Sequence, residues 1–471
     1  MKHIKSIYIN GRFAEPHGSE IAAITSPLDG EVIAQLTYAD ETDTANAIQA
    51  ASEALKTYSR TTLAERAGYL QRIHDEIVKR IDDLIDITVL EYGATKERAK
   101  WSNLLAATTF LNHVAVMERY PFQQKVNEST VIMEPIGVAA LFTPWNSTAG
   151  SIAVKVAPAL AAGCTVVLKP SEFSPWQSQI IMECIDMAGL PPGVVNMVNG
   201  RGDVISRAIM QSAAVTKISF TGSTLVGKIL AKQAIDTMKR VTLELGGKSA
   251  NIILDDADLD TAIPRALQAA FMNNGQACIA GSRLLVPASL LDEVKTRLLH
   301  EAQQFKVGSP YNEATKVGPV ASQKQYDRIQ QYIAAGMAAG AELLYGGPGH
   351  PEGLEKGYYL KPTIFTGVTN QMRIAQEEIF GPVLAVIAYT TEQEAIDIAN
   401  DSDYGLMAYI NATDIPRAEN VAAQLKAGRV LINTLKHDAL APFGGYKNSG
   451  LGRENGNYGL TEFLEPKTLI A

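Results

Sequence analysis

The sequence predicts an α/β protein with two doubly wound domains and a small β arm. The chain has 471 residues, 46% of them hydrophobic, which is more than one compact core requires and suggests two or three domains. From about residue 136, short β-rich runs alternate with amphipathic stretches of helical length. The strand runs are continuously apolar, as is typical of parallel strands that helices cover on both faces.

The first α/β series follows Ile136 and contains five predicted strands, VAALFT, TVVLK, VVNMV, KISFT and VTLEL. Helical patterns separate them, among them SIAVKVAPALAAG, WQSQIIMECIDMAG and helices that begin near Asp203 and Thr224. Because a helix follows each strand, we expect a parallel, doubly wound sheet.

The second series begins with ANIILDDADLD at Ala250 and continues through RLLVP, a long helical region to Phe305, ELLYGG and VLAVIAY, ending near VLIN at Val430. Residues 42–117, before the first sheet, show helical periodicity and polar loops. Two α/β domains in one chain usually leave a cleft between them, and we expect the functional site there.

Two segments fit neither domain, NESTVIMEPIG (Asn127 to Gly137) and FLEPKTLIA (Phe463 to Ala471). An exposed strand edge tends to pair with another chain. We therefore predict that these segments form a small oligomerisation sheet in a homodimer or homotetramer. The alternative is an arm that packs on its own domain.

Composition excludes several classes of function. The formal charge of −8 and the absence of long basic runs argue against nucleic acid. The longest apolar run, VAPALAAGCTVVL, has 13 residues, whereas a membrane helix needs about 20. The chain start lacks the apolar segment of a secretory signal. Three cysteines without CxxC spacing, and scattered histidines, predict a cytoplasmic protein with neither disulfides nor a metal.

The stretch FMNNGQACIAGSR places Cys278 directly after a polar Gly-Gln-Ala sequence. A cysteine on such a loop can be a thiolate nucleophile whose pKa is lowered by backbone N–H groups and a cleft. The alternative is a small buried hydrophobic residue, which is the commoner state of a free cysteine. Cys164 and Cys184 lie in apolar runs, and we expect both in the core.

Further polar residues stand where predicted strands end. Glu244, in LELGGKS, precedes two glycines at a strand end, which points its carboxylate into the ligand crevice of an open α/β sheet. Asn146, in TPWN, can donate to an oxyanion or cap the following helix. KPSE at Lys169 follows the second strand, and FTGS offers a helix start at Ser223 to a pyrophosphate. A GxGxxG fingerprint is absent.

Seven motifs together resemble the NAD(P)-dependent aldehyde dehydrogenase superfamily, in family order over nearly the whole chain. They are TPWN, KPSE, FTGS, LELGGKS, FMNNGQACIAGSR, EEIFGPV and PFGGYKNSGLGRE. The resemblance implies a variant Rossmann NAD-binding domain over 1–116 and 138–246, a catalytic domain over 247–449, and an oligomerisation arm and tail over 117–137 and 455–471.

The resemblance also implies catalytic roles. Cys278 would attack the aldehyde carbonyl, and Asn146 with the Cys278 backbone N–H would hold the oxyanion. After hydride transfer, Glu244 would activate the water that hydrolyses the thioester. Lys155 matches a lysine that assists proton movement and hydrates the site. Glu454 is a candidate for relaying protons outward; the alternative is a surface salt bridge.

For the cofactor, the resemblance implies NAD, with NADP possible. Lys169 and Glu172 match positions that bind the adenosine ribose, and a carboxylate at Glu172 would repel a 2′-phosphate. Asn433 matches a position that orders the catalytic loop. The complete set of implied cofactor contacts is Thr143, Trp145, Lys169, Glu172, Gly202, Phe220, Gly222, Ser223, Glu378 and Phe380.

Departures from the family pattern concern the substrate. Ser147 and Thr148 replace the usual aromatic residue and proline after TPWN, which predicts a wider and more polar aldehyde tunnel. Lys436 and His437 stand where many relatives have small or aromatic residues, and a cation there can steer a carboxylate-bearing aldehyde. The alternative is a solvated lysine. Acyl transfer to coenzyme A is a second possible outcome, although relatives that perform it generally lack the glutamate matched by Glu244.

Overall fold

The computed structural model describes residues 2–470, and in it a group of helices and two short-stranded sheet regions precede the first α/β domain. These elements are β1 (Lys2–Ile4), β2 (Ile7–Ile9), β3 (Arg12–Ala14), β4 (Ile21–Thr25), β5 (Val32–Thr37), α1 (Glu41–Tyr58), α2 (Leu63–Lys79), α3 (Ile81–Tyr92) and α4 (Lys96–Arg119). The four helices confirm the helical periodicity of this region. Strands β1, β5 and β4 form a separate small sheet, which the sequence patterns did not reveal because these strands mix exposed and buried residues and form no continuous apolar run.

The first large sheet has eight strands in the order β22-β12-β11-β8-β9-β10-β2-β3. Its central five strands are parallel, whereas β2 and β22 run antiparallel at either side. The elements after the N-terminal region are β8 (Val138–Phe142), α5 (Thr148–Ala162), β9 (Thr165–Lys169), α6 (Pro175–Met187), β10 (Val195–Val198), α7 (Gly202–Gln211), β11 (Val215–Thr221), α8 (Thr224–Ala234) and β12 (Arg240–Glu244), with β22 (Gly450–Leu451) returning late in the chain.

The second large sheet has seven strands in the order β15-β16-β17-β14-β13-β19-β20, and only the edge strand β15 is antiparallel. Its elements are β13 (Ala250–Ile253), α9 (Leu259–Phe271), β14 (Arg283–Pro287), α10 (Leu291–Ala302), α11 (Gln323–Ala338), β15 (Glu342–Tyr345), β16 (Thr363–Thr366), α12 (Arg373–Gln376), β17 (Val383–Tyr389), α13 (Glu392–Asn400), β19 (Met407–Asn411), α14 (Ile415–Gln424) and β20 (Arg429–Ile432). A two-stranded ribbon pairs β18 (Tyr404–Gly405) with β21 (Tyr446–Lys447).

Apolar clusters lie on both faces of each large sheet. Leu141 and Phe142, neighbours on β8, belong to different clusters on opposite faces of the first sheet. Leu285 and Leu284 on β14 do the same in the second sheet. Because strands with two covered faces must be apolar throughout, this arrangement explains the continuous hydrophobic runs and confirms the predicted α/β class.

The two segments that fitted neither domain pair with each other. Strand β23 (Leu464–Leu469) lies antiparallel to β7 (Ser129–Pro135), which also pairs with β6 (Gln123–Val126). The short α15 (Gly456–Thr461) leads into β23. The role of this sheet in oligomerisation stays a prediction. Within residues 2–470, none of the helices combines the length and apolarity that a bilayer crossing requires.

Candidate active site

An open cleft with an empty volume of about 590 Å³ lies where the two α/β domains meet. The first domain contributes the segments that follow β8, β11 and β12, at the carboxyl edge of its parallel strands. The second domain contributes Cys278, Glu378 and Phe380, and α11 adds Gln325 and Arg328. The carboxyl edge of a parallel sheet is the usual ligand position in this class of fold.

The loop that carries Cys278 is held in an unusual backbone conformation. Asn273, Asn274 and Gly275 have φ values of 54°, 59° and 71°, in the left-handed region. A Cβ atom at Gly275 would lie 2.2 Å from the carbonyl carbon of Gly381, so only glycine fits there. The Gly-Gln pair is therefore buried and fixed, which differs from the flexible loop that its composition suggests.

Side-chain hydrogen bonds hold the back of this loop. Asn274 donates to the Gly93 carbonyl at 3.0 Å and accepts from the Gly318 N–H at 2.7 Å. Gln276, with no exposed surface, donates to the Tyr92 hydroxyl at 3.2 Å and accepts from the Ala321 N–H at 3.0 Å. The buried polar groups behind the nucleophile are thus paired with groups of both domains.

The two glycines after Glu244 allow close backbone approach. A Cβ at Gly246 would lie 2.5 Å from Glu378 Oε2, and one at Gly247 would lie 2.3 Å from the Cys278 carbonyl oxygen. The Gly247 N–H donates to Glu378 Oε1 at 3.1 Å. The glycine pair therefore lies between the cysteine loop and Glu378, where any side chain would clash.

Cys278 lines the cleft and is half-buried, whereas Cys164 and Cys184 are buried in the core as predicted. Burial, and then the negative charges of Glu378 and Glu244, raise the pKa of the Cys278 thiol to about 12. The expectation of a lowered thiol pKa is wrong for the protein alone. The physical reason is that burial, together with the three carboxylates Glu378, Glu244 and Glu454, outweighs the favourable backbone hydrogen bond.

Glu244, at the end of β12, is 3% exposed and lines the same cleft. Neither of its carboxylate oxygens has a hydrogen-bond partner among residues 2–470. Burial, followed by the neighbouring Glu454, raises the pKa of Glu244 well above its usual value, and Lys155 opposes this shift. A buried carboxyl with free oxygens and a raised pKa is suited to accept a proton from water.

Lys155 is fully buried in α5 and connects the neighbourhood of Glu244 to the C-terminal segment. Its Nζ donates to Ser219 Oγ at 2.9 Å and pairs with Glu454 Oε1 at 2.5 Å. Glu454 is 7% exposed, so the alternative of a surface salt bridge is wrong. The buried pair lies beside Glu244 and joins α5 to the C-terminal segment.

Asn146 follows β8 and lines the cleft with Cys278. Its Nδ2 donates to the Gln276 carbonyl at 2.9 Å, and its own carbonyl accepts from Asn273 Nδ2 at 2.9 Å. The α5 helix begins with Ser147 as its N-cap, without a side-chain cap bond. Asn146 is therefore joined to the cysteine loop instead of capping the helix.

A family model and solved structures identify the chain's relatives. The model of the aldehyde dehydrogenase family matches residues 13–469. This chain belongs to the aldehyde dehydrogenase family. The predicted enzyme class, an oxidoreductase that acts on the aldehyde group, is thereby confirmed.

The family relatives match over almost their full lengths. The chain is 43% identical to 3-succinoylsemialdehyde-pyridine dehydrogenase of a Pseudomonas species, over 100% of this chain and 99% of that protein. It resembles the crystal structure of a mutant of aldehyde dehydrogenase C from Pseudomonas syringae with NAD⁺ and octanal, with a TM-score of 0.98, 43% identity, and coverage of 99% and 96%. It also resembles the crystal structure of betaine aldehyde dehydrogenase of Staphylococcus aureus with NAD⁺, with a TM-score of 0.96 and 35% identity. The match covers 99% of this chain and 94% of that chain.

The residues implied as ribose contacts lie at the end of β9. Lys169 Nζ pairs with Glu172 Oε2 at 2.6 Å, with the lysine buried and the glutamate partly exposed. Gly202, the first residue of α7, is so close that a Cβ there would lie 3.9 Å from Lys169 Nζ. The structure thus brings these three residues together beside the first sheet.

The residues implied as pyrophosphate contacts lie between β11 and α8. Ser223 is the N-cap of α8, and its side chain accepts from the Val226 N–H at 3.4 Å. A Cβ at Gly222 would lie 2.5 Å from Phe220 Cζ. The buried Thr143 hydroxyl, after β8, has no partner within residues 2–470.

Trp145 and Phe380 face each other across the cleft, with ring centroids 5.5 Å apart and an interplanar angle of 87°. Phe380 has a φ of 61°, and Glu378 is the neighbouring cleft carboxylate. Burial raises the pKa of Glu378 to about 7, against the favourable Gly247 hydrogen bond. These three residues line the same cleft as Cys278.

Several residues of the site were missed in the sequence. Gln325 and Arg328 line the cleft, and Arg98 lies with Ser102 in a cavity next to Asn146. These residues belong to helices α4 and α11, which lie outside the seven motifs. Only helical periodicity could have indicated which face of each helix turns toward the site. Asn433 also differs from expectation, since its side chain bonds the Ala412 backbone at 2.7 and 3.1 Å instead of the catalytic loop.

Proposed function

We propose that this protein oxidises an aldehyde to a carboxylic acid with NAD, through a hemithioacetal and a thioester on Cys278. The observation that carries the proposal is the shared cleft of Cys278, Asn146 and Glu244, in which both Glu244 oxygens are buried without a partner. A buried carboxylate with open oxygens costs free energy unless a water or substrate completes it.

The cysteine and the amide carry the first step. The Cys278 thiol first gives its proton to water in the open cleft; the sulfur then attacks the aldehyde carbon, and the carbonyl oxygen becomes an oxyanion. Asn146 Nδ2 has two N–H groups: one donates to a backbone carbonyl of the loop, and the other would donate to this oxyanion together with the Cys278 N–H. Such donors stabilise the transition state because their dipoles are fixed in advance.

Glu244 carries the second step. It accepts a proton from a water molecule as that water attacks the thioester carbonyl, and the carboxylic acid leaves as the thiolate returns. The raised pKa of Glu244 brings the carboxyl closer to neutral pH, where a general base is most effective. The proton then passes from Glu244 to the buried pair of Lys155 and Glu454.

The chain's residues fit NAD. Gly222 and Ser223 line the cleft at the N-terminus of α8, and such N-termini bind pyrophosphates. The buried Thr143 hydroxyl, after the neighbouring strand β8, has no partner within residues 2–470. The bound cofactor would accept the hydride. Glu172 would bind ribose hydroxyls, and NAD is therefore preferred to NADP, since a 2′-phosphate would meet its negative charge. We expect Glu172→Gln to lower the ratio of kcat/KM with NAD to kcat/KM with NADP, whereas Glu183→Gln should not change it.

The test is NADH formation from a panel of aliphatic, aromatic and carboxylated aldehydes, with and without coenzyme A. We expect turnover without coenzyme A, the acid as the product, and no turnover by Cys278→Ala. Cys184→Ala is the matched control and should retain activity. NADH formation that requires coenzyme A would replace hydrolysis by acyl transfer, and full activity of Cys278→Ala would refute the proposal.

We also propose that the β23-β7-β6 sheet mediates homo-oligomerisation. The support is that all four residues of β6 and the last four residues of β23 are exposed. The test is the molecular mass from light scattering, measured for the full chain and for Thr130→Pro. This substitution would disturb β7 where Thr130 pairs with Leu469. A monomeric mass for the full chain, or the same oligomeric mass for both proteins, would refute it.

A further inference from the structure

Arg98, in the first turn of α4, is a cation without a counter-ion. Its guanidinium carbon lies 4.2 Å from the centre of the Trp101 ring. Within residues 2–470, no carboxylate oxygen approaches its nitrogens within 4.0 Å, and its side chain donates no hydrogen bond to the protein. Stacking on an aromatic face leaves the N–H edge of a guanidinium free for a ligand.

Two buried arginines, Arg66 and Arg283, donate to protein oxygens, although Arg66 Nε has no partner among residues 2–470. Arg66 donates to the carbonyls of Ala161 and Thr61, and Arg283 donates to four oxygens that include Lys248 and Asn370. An unpaired buried charge costs free energy, which proteins normally avoid by providing such partners. Arg98 is half-buried, and its guanidinium, left without a protein partner, is free to bind a ligand anion.

The cavity of Arg98 adjoins the catalytic cleft. It is lined by Tyr92, Ser102, Trp145, Asn146 and Ser147, of which Trp145 and Asn146 also line the cleft of Cys278. Burial lowers the pKa of Arg98, and the two groups that oppose this shift are Tyr92 and Cys278. The guanidinium therefore lies in a cavity next to the cleft, close enough to Cys278 to interact with it electrostatically.

The surroundings of Arg98 include polar side chains. The hydroxyls of Ser102 and Ser147 lie 3.1 Å apart, and Ser147 is the residue that replaces the usual aromatic side chain of the family. His437 meets the edge of Trp101, with ring centroids 6.4 Å apart. The neighbouring Arg429 uses its guanidinium on the carbonyls of Pro442, Ala441 and Asp438.

We propose that Arg98, with the Ser102 and Ser147 hydroxyls, is the receptor for a carboxylate at the far end of the substrate, and that the protein's substrates are aldehydes with such a terminal carboxylate. A guanidinium binds a carboxylate through two parallel N–H···O bonds, and hydroxyls beside it complete the oxygen's hydrogen bonds. This inference rests on the proposed aldehyde oxidation. Lys436, which is exposed, remains at the surface and can contribute only long-range attraction.

The test compares two aldehydes of equal chain length, one ending in a carboxylate and the other in its methyl ester. We expect the wild type to prefer the carboxylate. Arg98→Leu should lower kcat/KM for the carboxylate on the order of 100-fold, mainly through KM, because it removes one partner of a buried charge pair. The ester should change by less than about threefold, because it does not need the cation. Arg98→Lys should retain part of the preference.

Arg119→Leu is the matched control, since Arg119 is an exposed arginine at the other end of α4 without an ion pair among the described residues. It should behave as the wild type with both substrates. An equal loss with both aldehydes in Arg98→Leu, or no preference in the wild type, overturns the proposal. Retained ester oxidation shows that the variant is folded.

Direct binding separates this inference from the proposed function. Calorimetric titration with the corresponding dicarboxylate, which has no aldehyde group, should show binding to the wild type and on the order of 100-fold weaker binding to Arg98→Leu. If neither aldehyde is oxidised but this difference holds, the receptor stands and the proposed reaction falls. If the dicarboxylate binds both proteins equally, the receptor is refuted whatever the activity.

Discussion

The back and the front of the loop that carries Cys278 use their polar atoms differently. On the back, the side chains of Asn274 and Gln276 are paired with backbone and tyrosine partners. On the front, the Glu244 carboxylate and the Thr143 hydroxyl have no partner within residues 2–470. Satisfied buried groups hold one backbone geometry, whereas unsatisfied ones lower stability and remain open to substrate, water or cofactor.

This difference teaches where stability and chemistry are separated in the site. Substitutions on the front should change rates with a neutral or favourable effect on folding. Substitutions on the back should lower the free energy of unfolding first. Four variants, two measured by rate and two by stability, test this division.

Glu244→Gln should give the largest effect, a fall in steady-state kcat on the order of 1,000-fold, because general base catalysis of thioester hydrolysis is lost. A rapid-quench measurement should still show one equivalent of NADH per active site before turnover slows. Loss of this burst would mean that Glu244 also removes the thiol proton. Glu342→Gln, at an exposed ion pair with Lys295, is the matched control.

Asn146→Ala should lower kcat/KM by about 100- to 1,000-fold, because one oxyanion donor is removed. In contrast to Glu244→Gln, the burst itself should slow, since the oxyanion forms in the first step. Stopped-flow absorbance of NADH measures its rate. A normal burst with slow turnover would place Asn146 outside the first step.

Glu378→Gln should stabilise the protein at pH 8 by roughly 3 kcal/mol at most, from a pKa raised from 4.5 to about 7. The folded state holds this proton more tightly than the unfolded state, so stability is lost as pH rises from about 4.5 to about 7. The gain in melting temperature should therefore be larger at pH 8 than at pH 5.5. A gain independent of pH would show that packing, not ionisation, is responsible.

Asn274→Ala should destabilise the protein by about 1–3 kcal/mol, because it leaves the Gly318 N–H and two carbonyls without their partner. Urea unfolding followed by fluorescence measures the change. Asn420→Ala, on the exposed face of α14, should change stability by less than about 0.5 kcal/mol. A rate defect in Asn274→Ala without lower stability would break the comparison between back and front.

The fold could be predicted from the sequence where local patterns decide it. The alternation of apolar strands and amphipathic helices gave both large sheets, because buried parallel strands are apolar on each face. Strands β1 to β5 were missed because most of them mix exposed and buried residues and form no continuous apolar run. Strand β22, of two residues, joins the first sheet through tertiary pairing that no local pattern encodes.

Within the site, motifs placed the nucleophile and the base, but electrostatics depended on distances between remote segments. The thiol pKa was expected to fall, whereas Glu378 and Glu244, distant from Cys278 in sequence, raise it. The partner of Lys155 was equally hidden, because Glu454 lies 299 positions away. Arg98 carried no motif at all, and its importance appears only from the lack of a counter-ion.

The segment with Glu454 continues within ten residues into β23, which is paired with β7. The carboxylate that pairs with Lys155 and the strand of the β arm thus share one short length of polypeptide, joined by α15. Shortening the C terminus to simplify crystallisation, or attaching a bulky fusion there, would disturb the Lys155–Glu454 pair as well as the β arm. An affinity tag is therefore better placed at the N terminus of this protein.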